Sequence, residues 1–171
     1  MDLEKNILSV RTRINKALAA AGRRPEELTV LAVTKYVEAP VIKELLAYGL
    51  QEIGENRLQD ALRKQEALGE LKSKYKWHFI GSLQTNKARQ VALNFDLIHS
   101  LDRMSLAESL NKIGTQLGKR IPVLIQVNVS GEQTKHGIAP GEVGAFYETV
   151  RKLPGLCAAG LMTMAPYTDD P

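Results

Sequence analysis

Six short aliphatic runs, each followed by a helical pattern or a loop, limit what this chain can fold into more than any other feature. The runs are Thr29-Val30-Leu31-Ala32-Val33-Thr34, Glu52-Ile53-Gly54, Trp77-His78-Phe79-Ile80, Leu97-Ile98-His99-Ser100, Val123 through Val129, and Ala158 to Met164. Runs rich in β-branched residues read as buried strands. Between them, apolar residues recur every three or four positions, as a helix requires. A first helix is expected over about Asp2 to Ala21, carrying Leu3, Ile7, Val10, Ile14 and Leu18, with Gly22 in its C-cap region. Others are expected from about Pro40 to Gly49, along Leu58, Leu62, Leu68 and Leu71, and across Asn86 to Leu93. A further helix carries Leu106, Leu110, Ile113 and Leu117, with Ser105 and Glu108 at capping-box spacing, and a last one lies around Glu142 to Leu153.

Each interval therefore holds one strand, one helix and short loops, the content of a βα unit. Strands joined this way are expected to be parallel, with right-handed crossovers. Two architectures accept the pattern. A (β/α)8 barrel needs eight strands and usually ~250 residues, whereas a doubly wound parallel sheet takes six as they stand. The pattern alone leaves both open.

A chain of 171 residues suits one domain, burying roughly 70% of its unfolded surface. Aromatic residues make up only 5%, so aliphatic side chains must do most of the packing. The excess of 23 basic over 19 acidic residues is mild and forms no basic run, so no nucleic-acid partner is expected. Salt-dependent retention of an oligonucleotide would test that alternative. Cys157 is the only cysteine, in the apolar stretch Gly155-Leu156-Cys157-Ala158-Ala159, and reads as an inert core thiol in a cytoplasmic protein. No apolar run approaches the ~20 residues of a membrane span. The start, Met1 to Asn6, lacks the pattern of a signal peptide, so no membrane role is expected.

In either architecture, ligands gather at the C-terminal ends of parallel strands. That rule selects Lys35, Glu55 with Asn56, Gly81 with Ser82, Ser100 and Asp102, Asn128 and Ser130, and Met162-Thr163-Met164. Lys35 follows Val30-Leu31-Ala32-Val33-Thr34, so it leaves an apolar wall that disfavours its ammonium form. A neutral amine can attack an aldehyde to give an imine. The plainer reading is a lysine reaching solvent from a strand end. Phosphate-binding glycine signatures are absent, and His78, His99 and His136 do not stand at metal-ligand spacings, so no metal is expected. His78, beside Trp77 and Phe79, reads first as a satisfied core histidine. Ser82, Ser100 and Ser130 lack a nucleophile-elbow context. Asn56 and Asn128 could orient a ring or serve turns and caps.

The stretches Ala32-Val33-Thr34-Lys35, Gly54-Glu55-Asn56, Trp77-His78-Phe79-Ile80-Gly81, Leu83-Gln84-Thr85-Asn86-Lys87 and Gly160-Leu161-Met162-Thr163-Met164 occur in that order. With Ile98-His99-Ser100, Asp102-Arg103, and Gln126-Val127-Asn128 through Lys135 and Gly137, they resemble the pyridoxal phosphate (PLP) homeostasis protein family. Members of that family are single-domain barrels related to the N-terminal domain of alanine racemase. The resemblance spans nearly the whole chain. It implies a (β/α)8 barrel carrying PLP as a Schiff base on Lys35, with Asn56 and Met162 near the cofactor. Ser100, Asn128 and His78 are further candidates to line its pocket. It implies a role in PLP, vitamin B6 and amino-acid balance rather than robust turnover, in a monomer or weak dimer. The alternative is a PLP-dependent racemase- or decarboxylase-like enzyme, which chiral analysis of amino acids incubated with the protein would reveal.

One departure stands out. The resemblance implies two further βα units after strand six, whose loops grip the phosphate, whereas this sequence ends at Tyr167-Thr168-Asp169-Asp170-Pro171. Residues 1–171 are accordingly expected to be one PLP-binding barrel domain cut short after about six units.

Overall fold

The computed structural model describes residues 2–132 and 136–164. Met1, Gln133 to Lys135 and residues 165–171 lie outside them, so the expectations placed on Lys135 and on the segment Tyr167 to Pro171 fall beyond the description.

The strands are β1 (Ala32–Val33), β2 (Glu52–Glu55), β3 (Lys76–Phe79), β4 (Leu97–Leu101), β5 (Ile121–Gln126) and β6 (Leu156–Met162). Helix α1 (Leu3–Ala20) precedes them, and α2 (Ala39–Ala47), α3 (Leu58–Leu68), α4 (Ala88–Asn94), α5 (Met104–Gln116) and α6 (Val143–Val150) fall one in each interval. All neighbouring strands pair in parallel, in the order β1-β2-β3-β4-β5-β6. A doubly wound sheet would reverse its strand order at a switch point. This sheet never does, and a sequential parallel order is the arc of a (β/α)8 barrel.

Local chemistry explains most element limits. Asp2 caps α1 by accepting a 3.0 Å hydrogen bond from the Lys5 amide, and Pro40 sits in the first turn of α2, where a missing N–H costs nothing. Helix α3 stops at Leu68 because Gly69 adopts a φ of 57°, and the chain continues to Lys74 as a 3-10 turn. The helix expected to reach Leu71 is shorter for that reason. Ser105 does not cap α5, since the N-cap is Arg103 and makes no side-chain capping bond.

Strand limits follow from available partners. Strand β1 is shorter than the run Thr29 to Thr34 because its pairing begins at Ala32 opposite Ile53, one residue into β2. Thr29 and Val30 therefore lie before the first residue of β2, and Leu31 is left unpaired with it. Strand β5 ends at Gln126, and Val127 bridges to Ile138 instead.

The helices cover one face of the sheet. Ile53, Trp77, Phe79, Ile98, Val123, Ile125 and Leu156 pack there against Ile42, Leu58, Val91, Leu106, Leu110 and Val150. Each large aliphatic side chain sealed in this layer stabilises the fold by roughly 1.5–3 kcal/mol. The opposite, inner face is more open: Val33, in register with Gly54, is 52% exposed. Cys157 is half-buried rather than core, because β6 pairs only with β5 among the described residues.

Candidate functional site

Parallel pairing brings every strand's C-terminal end to one rim. There Thr34 continues the ladder, its amide donating to Gly54 O at 3.0 Å. Its carbonyl then accepts from the Val37 amide at 3.0 Å, closing a turn with Lys35 and Tyr36 at its centre. Lys35 is half-buried, and its Nζ lies 4.9 Å from the centroid of the Tyr36 ring, which is 89% exposed. The amine thus sits at the rim, on a turn whose backbone is held on both sides.

What holds it lies behind the rim, toward α3. Thr34 Oγ1 donates to Glu55 Oε1 at 2.5 Å. Lys64 Nζ donates to the same carboxylate oxygen at 2.7 Å and to the Thr34 carbonyl at 2.8 Å. Thr34 is 2% exposed, Glu55 0% and Lys64 2%, so this charged network is closed off from water. Glu55 Oε2 is buried with no hydrogen-bond partner among the described residues.

A second chain runs along the sheet where Val33, Gly54, His78 and Leu97 stand in register. His78 Nε2 lies 2.6 Å from Glu52 Oε2, and His78 Nδ1 lies 2.8 Å from His99 Nε2. Burial, and secondarily the neighbouring His78, push the His99 imidazole down from 6.5 to about 4, so at neutral pH His99 is uncharged. His78 is satisfied within the fold, as its sequence context suggested.

The remaining candidates spread around the rim. Asn56 follows β2 directly, and its carbonyl oxygen lies 2.1 Å from where a Cβ on Gly81 would stand, so only glycine permits this approach of the β3 end. Met162 ends β6, half-buried, in register with Gln126. Asn128 is engaged in its own turn: Nδ2 donates to Glu132 O at 2.9 Å and Oδ1 accepts from Ser130 at 3.2 Å. Ser100 is sealed, its hydroxyl without a partner among the described residues. Arg103 ties the β4 rim to the preceding loop, donating to Asp102 Oδ1 at 2.5 Å and to Leu83 O at 2.7 Å.

Cavity size does not single out this amine. A cavity of about 560 Å³ lies between α1 and the β1–α2 segment and is lined mainly by apolar residues such as Ile7, Val10, Val30 and Leu45. A rim cavity of about 510 Å³ is bounded by Asn56, Arg57, Ser82, Gln84 and Lys87. Among the described residues, no group of three or more His, Cys, Asp or Glu is placed to hold a metal ion. None of their helices is long and apolar enough to cross a membrane.

Sequence reasoning named Glu55 by position but missed Lys64 and Glu52, and it gave His99 no role. A signal for Lys64 existed. It stands in the buried stripe of α3, with Leu58, Ala61, Gln65 and Leu68, where a lysine is out of place unless it has a buried acceptor.

Known proteins resemble this chain in sequence and fold. The sequence model of the family described as alanine racemase, N-terminal domain, matches residues 6–171. A pyridoxal phosphate homeostasis protein of Pseudomonas aeruginosa is 43% identical over 162 residues, spanning 95% of this chain and 70% of its own length. One from Aquifex aeolicus is 41% identical over 171 residues, covering 100% of this chain and 74% of itself. The solved structure of PipY from Synechococcus elongatus with PLP bound superposes with a TM-score of 0.78 at 33% identity, over 91% of this chain and 72% of that one. An alanine racemase of Clostridium difficile matches in fold, with a TM-score of 0.68 at 17% identity, over 91% of this chain and 40% of its own.

Proposed function

The chain belongs to the alanine racemase N-terminal domain family and, within it, to the pyridoxal phosphate homeostasis proteins, and from this we propose that it binds PLP through a Schiff base to Lys35. The observation that carries the reading is the solved relative of the same fold, at 33% identity, with PLP bound. The chain's own residues suit that cofactor. A primary amine stands half-buried at the rim, where barrel ligands gather, on a turn fixed by buried hydrogen bonds. Lys35 would hold the cofactor through its side-chain nitrogen as an imine, with loss of one water. Asn56 and Met162 would stand near it, with His78, Asn128 and Ser100 as the remaining candidates to line the pocket.

When bound, PLP supplies an electrophilic carbonyl that amines can exchange on. Carrying it in this reversible form suits holding and releasing the cofactor, and so a part in PLP, vitamin B6 and amino-acid balance. The likeness to alanine racemase, at 17% identity, concerns the fold and adds no turnover to the proposal. The reading places the protein in the cytoplasm as a monomer or weak dimer, with PLP as its partner and without nucleic acid or membrane.

The test is spectroscopic. Titrating the chain with PLP is expected to raise an absorption band near the visible edge, and Lys35→Ala is expected to abolish it while changing the unfolding free energy by no more than about 0.5 kcal/mol. A Lys35→Ala variant with an undiminished band would overturn the assignment.

A further inference from the structure

We infer that Glu55 and Lys64 are positioning residues for the PLP-bearing amine, acting through the Thr34–Lys35 peptide; the inference rests on the reading above. The carbonyl that Lys64 grips belongs to the peptide bond joining Thr34 to Lys35. The hydroxyl that Glu55 accepts from belongs to the residue just before the amine. Both contacts therefore fall on the residue before Lys35, one of them on the carbonyl of the peptide bond that leads into it.

The chemistry of the pair supports a role other than stability. Burying a lysine and a glutamate costs desolvation that apolar residues of similar size would avoid, so a buried ion pair is a poor stabiliser. What it supplies is direction. Two short hydrogen bonds reach Thr34, at 2.5 and 2.8 Å, and a third, at 2.7 Å, joins Lys64 to Glu55, so charge stands on two of the three participants. Thr34's side chain is committed to the α3 side, and Lys35's amine is left outside the network, at the rim.

The arrangement also separates two lysines that the fold brings to the same strand end. Lys64 donates to two oxygens and is 2% exposed, so its nitrogen is out of reach of an aldehyde. Lys35 is half-buried and carries no such bonds among the described residues. The same contacts that withdraw one amine thus present the other.

The test uses the full chain and PLP as the probe. Lys64→Met alone strands a buried carboxylate and endangers folding, so the informative variant is the double change Glu55→Leu with Lys64→Met, which removes both charges together. It is expected to keep its circular dichroism spectrum and cooperative melt. Its PLP dissociation constant, read from the absorption band, is expected to rise about tenfold or more, the loss of a charge-assisted hydrogen bond. The pH midpoint of the band is expected to move, which a merely structural pair would not cause. A folded double variant with wild-type affinity and pH midpoint overturns the inference and leaves the PLP reading standing. Should the double variant not fold, Thr34→Val keeps the ion pair and deletes only the hydroxyl, and an unchanged pH midpoint there overturns it equally. Absence of the band in the wild-type chain defeats the PLP reading itself, a separable result.

Discussion

At the residue scale, the Glu52–His78–His99 chain links geometry to a pH response. His99 ionises at about 4 in the folded protein, against an ordinary value of 6.5. Between those values the unfolded chain takes up a proton that the folded chain refuses, so stability falls as pH drops from about 6.5 toward 4. Above that window the group is neutral in both states and contributes no slope. His99→Asn is expected to lower the melting temperature at pH 7, because His78 loses its partner, and to give a shallower decline between pH 6.5 and 4.5 than the wild type. Parallel melts across that range check it, and an identical slope would remove His99 as the source. This chain was only half legible beforehand. His78 could be read as a bonded core residue from its neighbours, but its partners come from β2 and β4, 26 and 21 positions away, and only strand register brings them together.

At the element scale, the closest approach in the rim is the glycine at the end of β3. A methyl group on Gly81 would stand 2.1 Å from the Asn56 carbonyl oxygen, and backbone rather than a flexible side chain would have to yield. Gly81→Ala is expected to cost about 1–3 kcal/mol, as overpacking does. It should also weaken PLP binding, since Asn56 follows the same strand end. Urea melts and PLP titration measure the two effects, and a variant unchanged in both would show that the loop relaxes freely. Elements were the most legible level of this sequence. All six strands and six helices were visible as alternating aliphatic runs and helical stripes. Their limits were not, because they depend on partners and on single conformations. Strand β1 shrinks to the residues that face β2, and α3 stops where Gly69 turns to positive φ. The capping-box spacing at Ser105 and Glu108 matched the motif but sits inside α5, since α5 begins one residue earlier, at Met104.

At the scale of the whole molecule, periodicity alone could not choose between a barrel and a doubly wound sheet, because both are built from the same βα unit. The strand order decides it, running from β1 to β6 without reversal. That order sets the C-terminal ends of the described strands on one rim, with the lysine that follows β1 among them. The central claim, that Lys35 carries the cofactor, has a direct measurement. The PLP-loaded chain is reduced with borohydride, which converts the imine to a stable amine, then digested and mapped by mass spectrometry. The account predicts the pyridoxyl phosphate mass on the peptide containing Lys35 and on no other lysine in comparable yield. Label scattered over exposed lysines, or concentrated elsewhere with Lys35 unmodified, would contradict it.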